Sequence, residues 1–208
     1  VDFVPHADSS NPEPATTRLE MLWNECLSEG ANIPPDDDEE LAALLDSAID
    51  MVSVELPGGN RFESDHEECD VKVGLHGCGL DHPSLLLRIC NRGAQGGSLG
   101  KRLQELLEVR AQDTSNPVPM LIRSTDYKPT SAKTKIAKLM ADLIRCGGKK
   151  IVISDSDWRA MSAMQLFRGQ HGEDPEYLVW RKQSRPLSRL KSLSDMLGLQ
   201  DLEDRIET

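Results

Sequence analysis

Aromatic side chains are scarce in this 208-residue chain: three Phe, three Trp and two Tyr make up 4%. A core must therefore rest on Leu, Ile, Val, Met and Ala. No apolar run approaches the roughly 18 residues that a membrane-spanning helix needs. Cysteine is sparse and odd in number, with Cys26, Cys69, Cys78, Cys90 and Cys146 irregularly spaced. That spacing speaks against a disulfide framework and for a reducing, cytoplasmic setting. Cys26 and Cys146 fall inside apolar-periodic patterns, where cysteine acts as a small core residue. Basic residues are almost missing from the first third, where residues 1–70 carry only Arg18 and Arg61 against 19 Asp and Glu. Residues 71–208 carry 22 basic and 16 acidic side chains, so a net charge of −11 hides a part at −17 joined to a part at +6. Such a split points to binding partners, or to one part masking the other. No complete catalytic signature is present.

What is there suggests three stretches. Residues 1–14 are polar, with Pro5, Pro12 and Pro14, and read as a linker. With Val1 rather than Met at the start, and no signal peptide visible, the chain is expected to be a piece of a longer polypeptide. Residues 15–112 read as an acidic, mainly helical part, and residues 113–208 as a basic α/β part. In the acidic part, Leu19, Leu22, Trp23 and Cys26 recur at helical spacing, and Gly30 ends that helix. A second helix carries Leu41, Leu44, Leu45, Ala48 and Ile49 on one face, preceded by the acidic run Asp36–Glu40. Negative charge suits a helix N-terminus, so the run reads as capping plus a solvated face, or as a surface that docks on basic groups. Residues 60–82 are polar, with a possible short strand near Val71–Leu75. Pro83 suits the first position of a helix whose buried face is Leu85, Leu86, Ile89 and Cys90. A further helix starts at Ser98 with Leu99, Leu103, Leu106 and Leu107.

In the basic part, Val118–Arg123 and Lys150–Ser154 are short continuous apolar runs, and Lys133–Arg145 between them has helical periodicity stopped by Gly147 and Gly148. Strand, helix, strand implies a parallel βαβ unit. The fold class is therefore α/β, predominantly helical, with a small parallel sheet in the C-terminal half.

Four constellations could carry chemistry. Asp155-Ser156-Asp157 follows a strand directly, where parallel sheets place ligands. With Asp126 after the earlier strand, these carboxylates could hold Mg²⁺ for phosphate chemistry, as in a nuclease or phosphotransferase. The plainer reading is that Asp155 or Ser156 caps the next helix and Asp157 sits in its first turn. Two segments end like phosphate loops, Tyr127–Thr134 and Gly93–Lys101, but both depart from the glycine pattern that wraps a triphosphate. The residue types of His66, Cys69, His76, Cys78 and His82 suit zinc, although no paired chelating turn is present. Finally, Lys128, Lys133, Lys135, Lys138, Lys149 and Lys150 cluster around the βαβ unit, followed by Arg181, Lys182, Arg185 and Arg189. Such a patch can neutralise nucleic-acid phosphates, or pair with the acidic third.

Two resemblances accompany these motifs. The strand followed by Asp155-Ser156-Asp157 resembles the acidic motif of Toprim domains, which cut and prime nucleic acids. Toprim domains also use a glutamate after an earlier strand, where this chain has Ser124, Thr125 and Asp126. Val118–Arg123 together with Lys150–Met161 resembles accessory regions beside the ATPase module of large bacterial AAA/Orc-like proteins. That resemblance implies a non-catalytic accessory domain in a DNA-associated machine. The expected function is thus binding of a protein partner or nucleic acid through the basic half, without a cofactor. The alternatives are a Mg²⁺-dependent enzyme using Asp155 and Asp157, and a zinc-stabilised interaction module.

Overall fold

The computed structural model describes residues 15–28, 33–76, 83–91, 98–127 and 131–206. Two helices come first, α1 (Ala15–Ser28) and α2 (Asp38–Val52), the second capped by Asp37, whose side chain accepts the Glu39 N–H at 2.9 Å. Three strands follow, β1 (Arg61–Glu67), β2 (Asp70–His76) and β3 (Leu85–Ile89). Helices and strands then alternate: α3 (Ser98–Gln112), β4 (Val118–Arg123), α4 (Lys135–Arg145), β5 (Lys149–Val152) and α5 (Asp155–His171). Three shorter helices close the chain, α6 (Tyr177–Ser184), α7 (Lys191–Leu197) and α8 (Leu199–Ile206).

The strands form one sheet in the order β1-β2-β3-β4-β5. The first two neighbour pairs are antiparallel, and β3-β4 and β4-β5 are parallel. The chain is thus a helix-rich α/β protein with a parallel C-terminal sheet, as the βαβ pattern predicts. The sheet runs across residue 113 without a break, because Leu85–Ile89 pairs with Val118–Ile122.

The helix expected over Pro83–Cys90 is a strand. Every residue of β3 is buried, which fits a central strand covered on both faces. The run Leu85-Leu86-Leu87 satisfies a helical stripe and a two-faced strand equally well, and length arbitrates for the strand. The polar segment 60–76 is a hairpin, with Phe62, Val71 and Val73 as its buried anchors.

Alternation along the strands divides the core. Leu85, Leu87, Ile89, Met120 and Ile122 face α2 and α5, while Leu86 and Leu121 face α3 and α4. Gly148 permits the tight return from α4, since a Cβ there would lie 2.6 Å from the Pro119 carbonyl oxygen. Four of the few aromatic side chains, Trp23, Phe167, Tyr177 and Trp180, pack together and lock α1 onto α5 and α6.

Candidate functional site

The carboxyl ends of β3, β4 and β5 lie side by side, the position where parallel sheets bind ligands. A polar network crosses this edge. Asn91 donates from Nδ2 to Ser124 Oγ at 2.8 Å and accepts the Ser124 N–H at 2.6 Å. Trp158, itself buried, donates its indole N–H to the same Ser124 Oγ at 2.9 Å. The Asn91 N–H donates to Asp38 Oδ1 at 2.9 Å, tying the first turn of α2 to the end of β3.

Asp38 is only 2% exposed, and its Oδ2 has no hydrogen-bond partner among the described residues. A buried acceptor left without a donor costs about 1–3 kcal/mol. The α2 N-terminus offsets a part of that, on the order of 0.3–1 kcal/mol. The acidic run therefore divides: Asp37 caps, Asp38 is buried, and Glu39 and Glu40 are solvated. Sequence spacing gave no signal for the burial of Asp38.

Asp38 lines a cleft of about 590 Å³ between the β3 end and α3. Beside it Arg88 is held by a bidentate pair to Asp70 at 2.5 Å and by Glu105 at 3.0 Å. Burial works against the charge of Arg88, but the hydrogen bond and charge of Asp70, with Glu105 behind, outweigh it and raise its pKa. Arg88 is thus locked as a structural cation. Burial pushes the Cys69 and Cys90 thiols up, with only partial opposition from Arg102 at both and from Arg123 at Cys90.

The expected metal-binding carboxylates are all engaged. Ser154, one residue earlier than expected, caps α5 and accepts the Asp157 N–H at 3.1 Å. Asp155 pairs with Arg159 at 2.6 Å. Asp157 Oδ2 accepts from Ser192 Oγ at 2.5 Å, joining α5 to the start of α7. Asp126 pairs with Lys150. Asp155 and Asp157 lie in the first turn of α5, as the plainer reading has it for Asp157, but the cap is Ser154 and not Asp155 or Ser156.

Of the zinc-type residues, Cys78 and His82 lie outside the described residues. The other three are not brought together. His66 bonds Asp46 on the α2 side at 2.8 Å, whereas His76 lies across the opposite face beside Glu63 at 3.2 Å. The register puts Arg61 opposite His76 and His66 opposite Val71, so the two imidazoles stand at opposite ends of the hairpin. Cys69 is buried in the turn between β1 and β2. Among the described residues no group of three His, Cys, Asp or Glu side chains is arranged to hold a metal.

The basic residues separate into distinct places. Lys128 and the glycine-rich segment 93–97 lie outside the described residues. Lys133, Lys135 and Lys138 are exposed around the N-terminal end of α4, where Thr134 caps the helix by accepting the Ala137 N–H at 3.1 Å. Lys135 reaches Gln104 of α3 at 3.1 Å, so α3 and α4 present one continuous surface. Lys133 and Lys138 have no carboxylate partner among the described residues. Lys149 is exposed at the other end of α4, and Lys150 is taken by Asp126. Lys182, within α6, and Arg189, after it, are exposed, but α6 packs with α1 on the other side of the sheet; Arg185 there is half-buried in a left-handed conformation with φ 49°.

Arg181 is withdrawn from any surface. It is 1% exposed and bonds Glu55, Tyr177 Oη and the Met51 carbonyl oxygen. Periodicity did not distinguish it from its exposed neighbour Lys182.

Among the described residues no helix is long and apolar enough to cross a membrane. Set against family models, curated proteins and solved structures, the chain matches none of them.

Proposed function

We propose that the chain is a non-catalytic binding domain of a larger protein, and that it takes the phosphate backbone of a nucleic acid on the α3–α4 surface. The observation that carries this reading is the group Lys133, Lys135 and Lys138. These side chains are exposed, none has a carboxylate partner among the described residues, and they surround a helix N-terminus. Helix N-termini attract phosphate through free N–H groups and the helix dipole. A few carboxylates of the acidic third are meanwhile occupied internally: Glu20 accepts from Trp180 and Ser184, Glu55 from Arg181, and Asp70 from Arg88. The engagement of Asp126, Asp155 and Asp157 argues for binding over cleavage. The reading also accords with the resemblance to accessory regions of large ATPases.

The test is duplex and single-stranded DNA or RNA binding by fluorescence anisotropy across a salt series. Replacing Lys133, Lys135 and Lys138 together with Ala should weaken binding and flatten the logarithmic salt slope by about 0.7–0.9 per lost phosphate contact. Replacing Lys182 and Arg189 with Ala should change neither. Absence of binding by the intact chain at low salt, or an unchanged slope in the triple variant, overturns the reading.

A further inference from the structure

We infer that the cleft floored by Asp38 is a binding site for a linear aliphatic polyamine, with one ammonium group seated on Asp38 Oδ2. The inference starts from that oxygen. It is buried, it belongs to a residue that lines the cleft, and it lacks a donor among the described residues, while its twin Oδ1 is fixed by the Asn91 N–H. A floor of this kind selects a hydrogen-bond donor, and a carboxylate selects a cationic one. An anion is disfavoured at the same spot.

Charge around the cleft points the same way. Its walls carry Asp38, Glu68, Glu105 and Glu108 against Arg88, Lys101 and Arg102. Arg88 is consumed by Asp70, which stands just behind, and Glu105 draws the remaining cations, with Lys101 at 3.6 Å and Arg102 at 3.9 Å. Asp38, Glu68 and Glu108 remain as carboxylates without a cation among the described residues. The cleft is also elongated. It follows α3 from Ser98 to Gln112, a length of about 20 Å at 1.5 Å per residue. Val109 and Cys90 supply apolar wall between the charged positions. A polyamine matches this layout, because its ammonium groups recur at regular intervals along a methylene chain. The volume falls in the range of small-molecule sites. A metal ion matches less well, since Asp38 has only one free oxygen and no group of three ligands surrounds it.

Spermidine is the probe, titrated into the full chain by calorimetry at moderate salt. A saturable isotherm with one site is expected, with a ligand-dependent rise in melting temperature. Asp38→Asn keeps an acceptor for the Asn91 N–H and should weaken the site at least about tenfold. Glu39→Gln removes the same charge from the next, exposed residue and should leave the affinity unchanged. Glu108→Gln, on the cleft rim, should weaken binding several-fold and decides the matter if Asp38→Asn does not fold. Unsaturable binding, or equal affinity in Asp38→Asn and Glu39→Gln, would reduce the effect to general attraction by an acidic chain and overturn the inference. Tight Mg²⁺ binding that depends on Asp38, with none of spermidine, would also overturn it, in favour of a metal.

Discussion

Glu55 and Arg181 meet at 2.6 Å with side chains 0% and 1% exposed, joining the acidic third of the chain to its basic part across 126 residues. The carboxylate is saturated. Besides Arg181 it accepts the Leu187 and Ser188 N–H groups and the Ser188 hydroxyl. The guanidinium in turn reaches the Met51 carbonyl and Tyr177.

Removing one partner leaves the other charge buried and uncompensated. Arg181→Ala or Glu55→Ala should each destabilise the fold by about 3–5 kcal/mol, measured by urea denaturation. The double substitution should cost clearly less than the sum of the two singles. A single variant within about 1 kcal/mol of the parent would show that the pair contributes little.

The two carboxylates before α5 should respond differently. Asp157→Asn weakens the acceptor for Ser192 and should cost about 1–2 kcal/mol. Asp155 is 70% exposed and makes only a pair along its own helix, so Asp155→Asn should cost less than about 0.5 kcal/mol. Mg²⁺ should shift the melting of neither variant relative to the parent. A Mg²⁺-dependent rise in melting temperature that Asp157→Asn abolishes would revive the metal reading.

A fragment of residues 115–208 should not fold cooperatively. It lacks β3, the parallel partner of β4, and leaves Met120, Leu121 and Ile122 without their inner neighbours. Circular dichroism during heating checks this, and a sigmoidal transition in the fragment would refute it.

The buried thiols set an alkaline limit. Cys69 and Cys90 have folded-state pKa values raised above the ordinary 9.0, chiefly by burial. A proton held more tightly in the folded state gives stability that is complete below pH 9 and is lost as pH rises through the higher folded value. Unfolding free energy should therefore fall as pH rises above about 9, and less steeply in Cys90→Ala. Equal slopes in the parent and the variant would remove the thiol from the explanation.

The parallel unit was legible because β4 and β5 are short, continuous apolar runs separated by a strongly periodic helix. β3 was not, since its leucine run also fits a helical stripe and Pro83 before it suits a helix start. The cap of α5 was readable to within one residue, because Ser154, Asp155 and Asp157 are all suited to a first turn. The burial of Asp38 and Arg181 escaped, for each sits among like-charged neighbours and the partners arrive from distant sequence. The same distance hid the separation of the basic residues onto two sides of the sheet. Sequence shows how many lysines there are, while the alternation of strand faces decides which helix carries them where.

The order of strands across the sheet has a consequence for synthesis. Neighbours in space are neighbours in sequence throughout, from β1 to β5. A chain emerging from the ribosome can therefore lay each strand beside the one before, without waiting for a later segment to slot between two earlier ones. The hairpin of β1 and β2 becomes the template, and each crossover helix seals a layer as it arrives. The closing helices then reach back over the finished sheet, where Arg181 clasps Glu55 and Trp180 meets Trp23 and Glu20. A nascent chain that stops short of residue 181 would hold the Glu55 carboxylate without its cation, so the arrival of α6 is the step that neutralises the charge buried under the sheet.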